Sequence, residues 1–112
     1  MKMTFRHMPA FVSEWKRMRL PDEDLQALER QIMDRPDSGS VMSGTGGVRK
    51  MRFAPPSRHG GKSGATRVCY VVFVDFVCYV LLIFPKNEKA NLSAKDKAAV
   101  KQGVDALRRA HR

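Results

Sequence analysis

The chain is poor in the features that usually announce a function. It has only two cysteines, Cys69 and Cys78, each inside a strongly apolar run, where cysteine behaves as a small buried hydrophobe. Two cysteines make no metal site, and sequence alone leaves a disulfide between them open. The N-terminus lacks the apolar core that a signal peptide needs, which points to the cytoplasm. The longest apolar run, residues 68–84, is interrupted by Asp75 and falls short of the ~20 residues of a spanning helix, so no membrane segment is expected.

Familiar catalytic sets are missing as well. No spacing supports a Ser/His/Asp arrangement, a carboxylate pair or a Cys/His metal cluster, so no metal or cofactor is expected. Gly44, Gly46 and Gly47 are not followed by the Lys-Ser or Lys-Thr of a phosphate-binding loop, and they read as a tight turn into a strand. His59 reads as a solvent-facing loop residue.

Acid is scarce where base is dense. The net charge is +10, from 21 Lys and Arg against 11 Asp and Glu. Residues 1–36 are near balance, with seven basic and six acidic side chains. Between residues 44 and 67, Arg49, Lys50, Arg52, Arg58, Lys62 and Arg67 occur with no acid at all, and from Lys86 onward eight bases face three acids. Such asymmetry favours a polyanionic partner.

What the sequence does contain is enough for one core. Its 112 residues, 43% apolar and 29% charged, suit a single globular domain over residues 1–112. Met3 and Phe5 alternate with polar neighbours, predicting a short strand before Pro9. Phe11, Val12, Trp15 and Met18 fall at helical spacing, with Pro9 in the first turn, and a helix ending near Leu20 follows. Pro21 with Asp22, Glu23 and Asp24 opens a second helix, striped by Leu25, Leu28 and Ile32 and closed by Pro36.

The turn at residues 39–47 leads into a strand over 48–53. Its alternation sends Lys50 and Arg52 to one face, Met51 and Phe53 to the other. A basic loop spans residues 55–64, and the run 68–84 folds as a hairpin turning near Asp75, because Val, Tyr and Phe prefer a pleated sheet. Ser93 with Asp96 caps a last helix carrying Val100, Val104 and Leu107, weakened by Gly103. Trp15, Tyr70 and Tyr79 read as core residues. The fold class is therefore α+β.

Lys50 and Arg52, then Arg67, then Lys86 and Lys89 form a basic set that one sheet could assemble. Such cations suit phosphodiester cleavage of RNA, which carries its own nucleophile in the 2′-hydroxyl. They equally suit a solvated basic face, or a nucleic-acid binder that breaks no bond.

Three segments carry a resemblance: Gly44-Thr45-Gly46-Gly47-Val48-Arg49-Lys50, Gly64-Ala65-Thr66-Arg67-Val68-Cys69-Tyr70, and Phe84-Pro85-Lys86-Asn87-Glu88-Lys89-Ala90-Asn91-Leu92-Ser93. In this order and spacing the chain, from about residue 3 to 108, resembles the HigB-like branch of the RelE/ParE superfamily of type II toxins. The resemblance implies a RelE-like microbial RNase fold, with N-terminal helices packed on an antiparallel sheet and a C-terminal helix. It also implies a toxin that cleaves mRNA in the ribosomal A site without metal and is neutralised by a cognate antitoxin. Lys50 and Arg52 would then contact mRNA and help activate the 2′-hydroxyl, Arg67 would stabilise the transferring phosphate, and Lys86 or Lys89 would act near the leaving group. Arg49, Arg58 and Lys62 would add RNA contacts. The RelE type proper places a tyrosine soon after the last basic motif, where this chain has Leu92 and Ser93. A ParE-type gyrase inhibitor on the same fold is the alternative.

Overall fold

The two prolines near the N-terminus each begin a helix. In a computed structural model that describes residues 2–58, 65–86 and 92–111, strand β1 (Thr4–His7) runs into α1 (Pro9–Arg17), whose first residue is proline, and α2 (Asp22–Asp34) starts directly after Pro21. A fixed φ and a missing N–H cost nothing at these positions, since the first amides of a helix have no intrahelical partner. Asp22, Glu23 and Asp24 put negative charge on the electropositive end of α2.

After α2 come β2 (Ser40–Val41), β3 (Arg49–Phe53), β4 (Thr66–Val72), β5 (Val77–Pro85) and the C-terminal helix α3 (Ala94–Ala110). The expected capping box is present: the Ser93 hydroxyl accepts from the Asp96 amide, and the Asp96 carboxylate accepts from the Ser93 amide. One five-stranded sheet forms in the order β1-β5-β4-β3-β2. It is mixed, which corrects the all-antiparallel expectation: β1 runs parallel to β5, whereas every other pairing is antiparallel. The β4–β5 hairpin closes through a tight turn that fixes its direction. No turn joins β1 to β5, so their relative direction is set by packing of the whole domain.

Helices cover both faces of the sheet. Phe11, Trp15, Leu28 and Ile32 pack with Met51, Phe53, Val68, Tyr70, Cys78, Val80 and Ile83 on one side. On the other, Val104 of α3 joins Met42, Val48, Cys69, Val71, Phe73, Tyr79, Phe84 and Leu92. The two cysteines thus lie in different cores as free thiols, and burial pushes both pKa values up to about 12.

The pleat is broken once. Cys69 pairs with Leu82 but Tyr70 pairs with Val80, which leaves Leu81 as an extra residue. This bulge puts Leu81 and Leu82, neighbours in sequence, both against the α3-side cluster. No helix among the described residues is long and apolar enough to cross a membrane.

Candidate RNA-binding face

Strand alternation and pairing together assemble the site. On β3, Lys50 and Arg52 take the face opposite to the buried Met51 and Phe53. Across the antiparallel β3–β4 ladder Arg52 is the direct partner of Arg67, and Lys50 that of Cys69. Phe84 flanks Arg67 on β5. The side chains of a direct pair leave the same face of the sheet with Cβ atoms ~5 Å apart, so two arginine side chains leave the sheet side by side, with Lys50 the next residue on that face. On the far side of Lys50 its partner is Ser40, an exposed hydroxyl on the edge strand. Lys86 follows at the end of β5, where its amide donates to the Ala65 carbonyl (3.3 Å).

This row lies beyond the part of the face that α3 covers. Arg52 is exposed, and Lys50 and Arg67 are half-buried. Among the described residues no carboxylate forms an ion pair with Arg52 or Arg67, and the Arg67 guanidinium reaches only its neighbouring Thr66 carbonyl at 3.3 Å. Like charges directly opposite in a ladder are destabilising. The fold carries this cost on a surface where many neutral side chains would fit.

The backbone beneath the pair is held from the opposite face. Gln31 of α2 donates to the Arg52 carbonyl at 2.9 Å, and the Thr66 hydroxyl donates to the Phe53 carbonyl at 2.8 Å. Sequence reasoning missed both, because each joins residues more than ten positions apart in the chain. Tyr70, as expected, is fully buried: its hydroxyl donates to the Pro36 carbonyl (2.9 Å) and accepts from the Gly39 amide (3.2 Å). A Cβ on Gly39 would stand 3.1 Å from that hydroxyl and 3.0 Å from the Lys50 carbonyl, so this tether needs glycine.

Not every expected contact residue joins the row. Arg49 takes the alternate pleat, and its guanidinium donates to the carbonyls of Asp37 (3.1 Å) and Gly39 (2.6 Å), locking the chain that leads into β2. Arg58 donates to the Met18 carbonyl, and the neighbouring Ser57 is held by the buried Asp24 carboxylate. Both arginines therefore serve loop structure. His59, Lys62 and Lys89 lie outside the described residues. Leu92 and Ser93 are accounted for structurally, one as core and the other as helix cap.

The glycine turn matches its simpler reading: Gly44, Gly46 and Gly47 have φ of 77°, 78° and 101°, and the buried Thr45 hydroxyl bridges the Met42 carbonyl and the Val48 amide. Trp15 is core, and Tyr79 packs against Phe73 and His111. Of the described histidines, His7 bonds Glu29 and His111 bonds Asp75, both away from the basic row. No group of three His, Cys, Asp or Glu side chains converges among the described residues. What the row offers chemically is fixed positive charge in planar forks, suited to gripping phosphate oxygens. No protein-family model matches the chain.

Proposed function

We propose that this protein is the toxin of a type II toxin–antitoxin pair, HigB-like within the RelE/ParE superfamily, and that it is a ribosome-dependent endoribonuclease. The observation that carries this reading is the direct Arg52–Arg67 pairing beside Lys50. A surface that holds two arginines in register, with no carboxylate among the described residues paired to either, is matched to a ligand with paired anionic oxygens, and a phosphodiester approaching its transition state is such a ligand.

The row would grip the phosphate between two nucleotides. The 2′-hydroxyl gives up its proton to water and attacks phosphorus, the bond to the 5′-oxygen breaks, and that oxygen takes a proton from water as it leaves. A 2′,3′-cyclic phosphate and a 5′-hydroxyl result. Arg67 and Arg52 stabilise the extra negative charge on the phosphorane, and Lys50 lowers the pKa of the attacking hydroxyl. Lys86 stands at the β5 end of the row, near the leaving oxygen. The cognate antitoxin is the protein partner in this scheme.

The test is primer extension on mRNA in a cell-free translation reaction, with and without ribosomes, using the wild type and Arg67→Ala. Cuts in register with the reading frame, dependent on ribosomes and absent in the variant, are expected. Intact mRNA with blocked supercoiling by gyrase would replace this reading with the ParE-type one.

A further inference from the structure

Helix α2 carries two polar side chains that reach across to β3 and the chain just beyond it. Asp24, in the first turn, is 1% exposed, and both of its carboxylate oxygens accept from one residue: Oδ1 from the Ser57 amide (3.1 Å) and Oδ2 from the Ser57 hydroxyl (2.5 Å). Gln31 donates from Nε2 to the Arg52 carbonyl (2.9 Å). Positions i and i+7 lie two turns apart on one stripe of a helix, roughly 10 Å along its axis. Helix α2 therefore holds the chain at both ends of the stretch from Phe53 to Pro56.

Neither hold is needed by the helix itself. A buried carboxylate is costly unless it is hydrogen-bonded, and the electropositive end of α2 already has Asp22 and Glu23. What Asp24 satisfies is Ser57. On the strand side, β3 runs past its pairing with β2, which reaches only Lys50, so residues 51–53 have a strand on one side alone. Strand ends held so loosely fray, and Arg52 stands one residue from this end. After Phe53 the chain turns: Pro55 is buried, and the Arg58 amide donates to the Pro55 carbonyl (3.0 Å), closing a turn that contains Ser57.

We propose that Asp24 and Gln31 are positioning residues, a two-point clamp on α2 that fixes the direction in which the Arg52 side chain leaves the sheet. Gln31 acts on the Arg52 backbone directly, and Asp24 acts through Ser57 on the chain that follows. Neither touches RNA. A guanidinium group stabilises a phosphorane only where it is held in place beforehand, and a misplacement of about 1 Å costs on the order of 100-fold in rate. The clamp belongs to the free protein; its consequence for rate rests on the ribonuclease reading.

The test leaves the buried Asp24 in place and alters its exposed partner and the exposed Gln31. Ser57→Ala removes the hydroxyl, Gln31→Met removes the donor at similar length, and Ser57→Thr keeps the hydroxyl. Two readouts are taken: single-turnover mRNA cleavage on programmed ribosomes beside ribosome affinity, and backbone NMR order parameters of residues 52–58 in the free protein. Each single loss should lower the rate a few-fold, since one hold remains. The double variant should lose on the order of 100-fold, more than the product of the two, with affinity within a few-fold of the wild type. Ser57→Thr should match the wild type. Order parameters of Phe53, Ala54 and Ser57 should fall from about 0.85 to below about 0.6 in the double variant. Asp75→Asn, destabilised at the β4–β5 turn, should keep the full rate, which separates positioning from stability. A double variant that cleaves like the wild type, rate losses matched by affinity losses, or a Ser57→Thr variant as slow as Ser57→Ala would each overturn the clamp. If the wild type cleaves nothing, the ribonuclease reading falls and the order parameters decide: a drop in the double variant supports the clamp, and no change refutes it.

Discussion

Neutralising Arg52 should stabilise the fold while removing the ribonuclease activity proposed above. Arg52 and Arg67 are direct partners in the β3–β4 ladder with no neutralising carboxylate among the described residues. Two unit charges roughly 6–8 Å apart in water repel by about 0.5–0.7 kcal/mol, and like charges directly opposite in a ladder are destabilising. Arg52→Gln keeps a polar chain of moderate length and removes the charge, so it should gain about 0.5 kcal/mol at low salt. For a domain of this size that is a rise of roughly 2–3 °C in melting temperature. The screening length is ~30 Å at 0.01 M salt and ~3 Å at 1 M, so the gain should shrink towards zero at high salt. Arg67→Gln should give a similar gain, and the double variant should gain less than the two singles added, because the repulsion can be relieved only once. Thermal melts of the four proteins at both salt concentrations measure this directly. A destabilised Arg52→Gln at low salt, or a gain that is the same at both salts, would refute the idea that the pair is an unneutralised charge site.

Two further outcomes follow from single contacts. Tyr70→Phe strands the part-buried Pro36 carbonyl and the buried Gly39 amide and should cost about 1–3 kcal/mol in urea unfolding, with the β2 edge loosened; an unchanged midpoint would show that water replaces the hydroxyl. At the β4–β5 turn, the hydrogen bond from His111 holds the Asp75 carboxyl below its ordinary value of 3.8, with bonds from backbone amides adding to it. A depressed carboxylate contributes stability that is present above the unfolded value and is lost as pH falls through the folded one. Asp75→Asn should therefore melt below the wild type at pH 7, and the gap should narrow as pH falls below the ordinary carboxylate value; a gap that is the same at pH 7 and in acid would contradict the assignment.

Much of the scaffold was legible because local rules decide it. Pro9 and Pro21 mark helix starts, the β-branched run around Asp75 marks a hairpin, and alternation alone places Lys50 and Arg52 on one face. The parts that were not legible depend on residues distant in sequence. No local signal sets the parallel β1–β5 pairing, the bulge at Leu81, or the two-residue strand β2. Alternation cannot say that Arg67 stands opposite Arg52, since that depends on the β3–β4 register. Nor can charge counting separate solvent-facing from structural cations: Arg49 and Arg58 look as basic as Arg52, yet both are tied to backbone carbonyls. The last helix, short of large residues, still docks through Val104, because Arg108 and His111 fasten its end.

The central claim is that Arg67 acts on the reacting phosphate and not merely on RNA affinity. Single-turnover cleavage of mRNA on programmed ribosomes, measured with wild type and Arg67→Ala beside the ribosome affinity of each, tests it most directly. An interaction made mainly in the transition state should cost on the order of 100-fold or more in rate while affinity changes by only a few-fold. An equal loss in rate and affinity would make Arg67 one phosphate contact among several, and no cleavage by the wild type would remove the enzyme reading altogether.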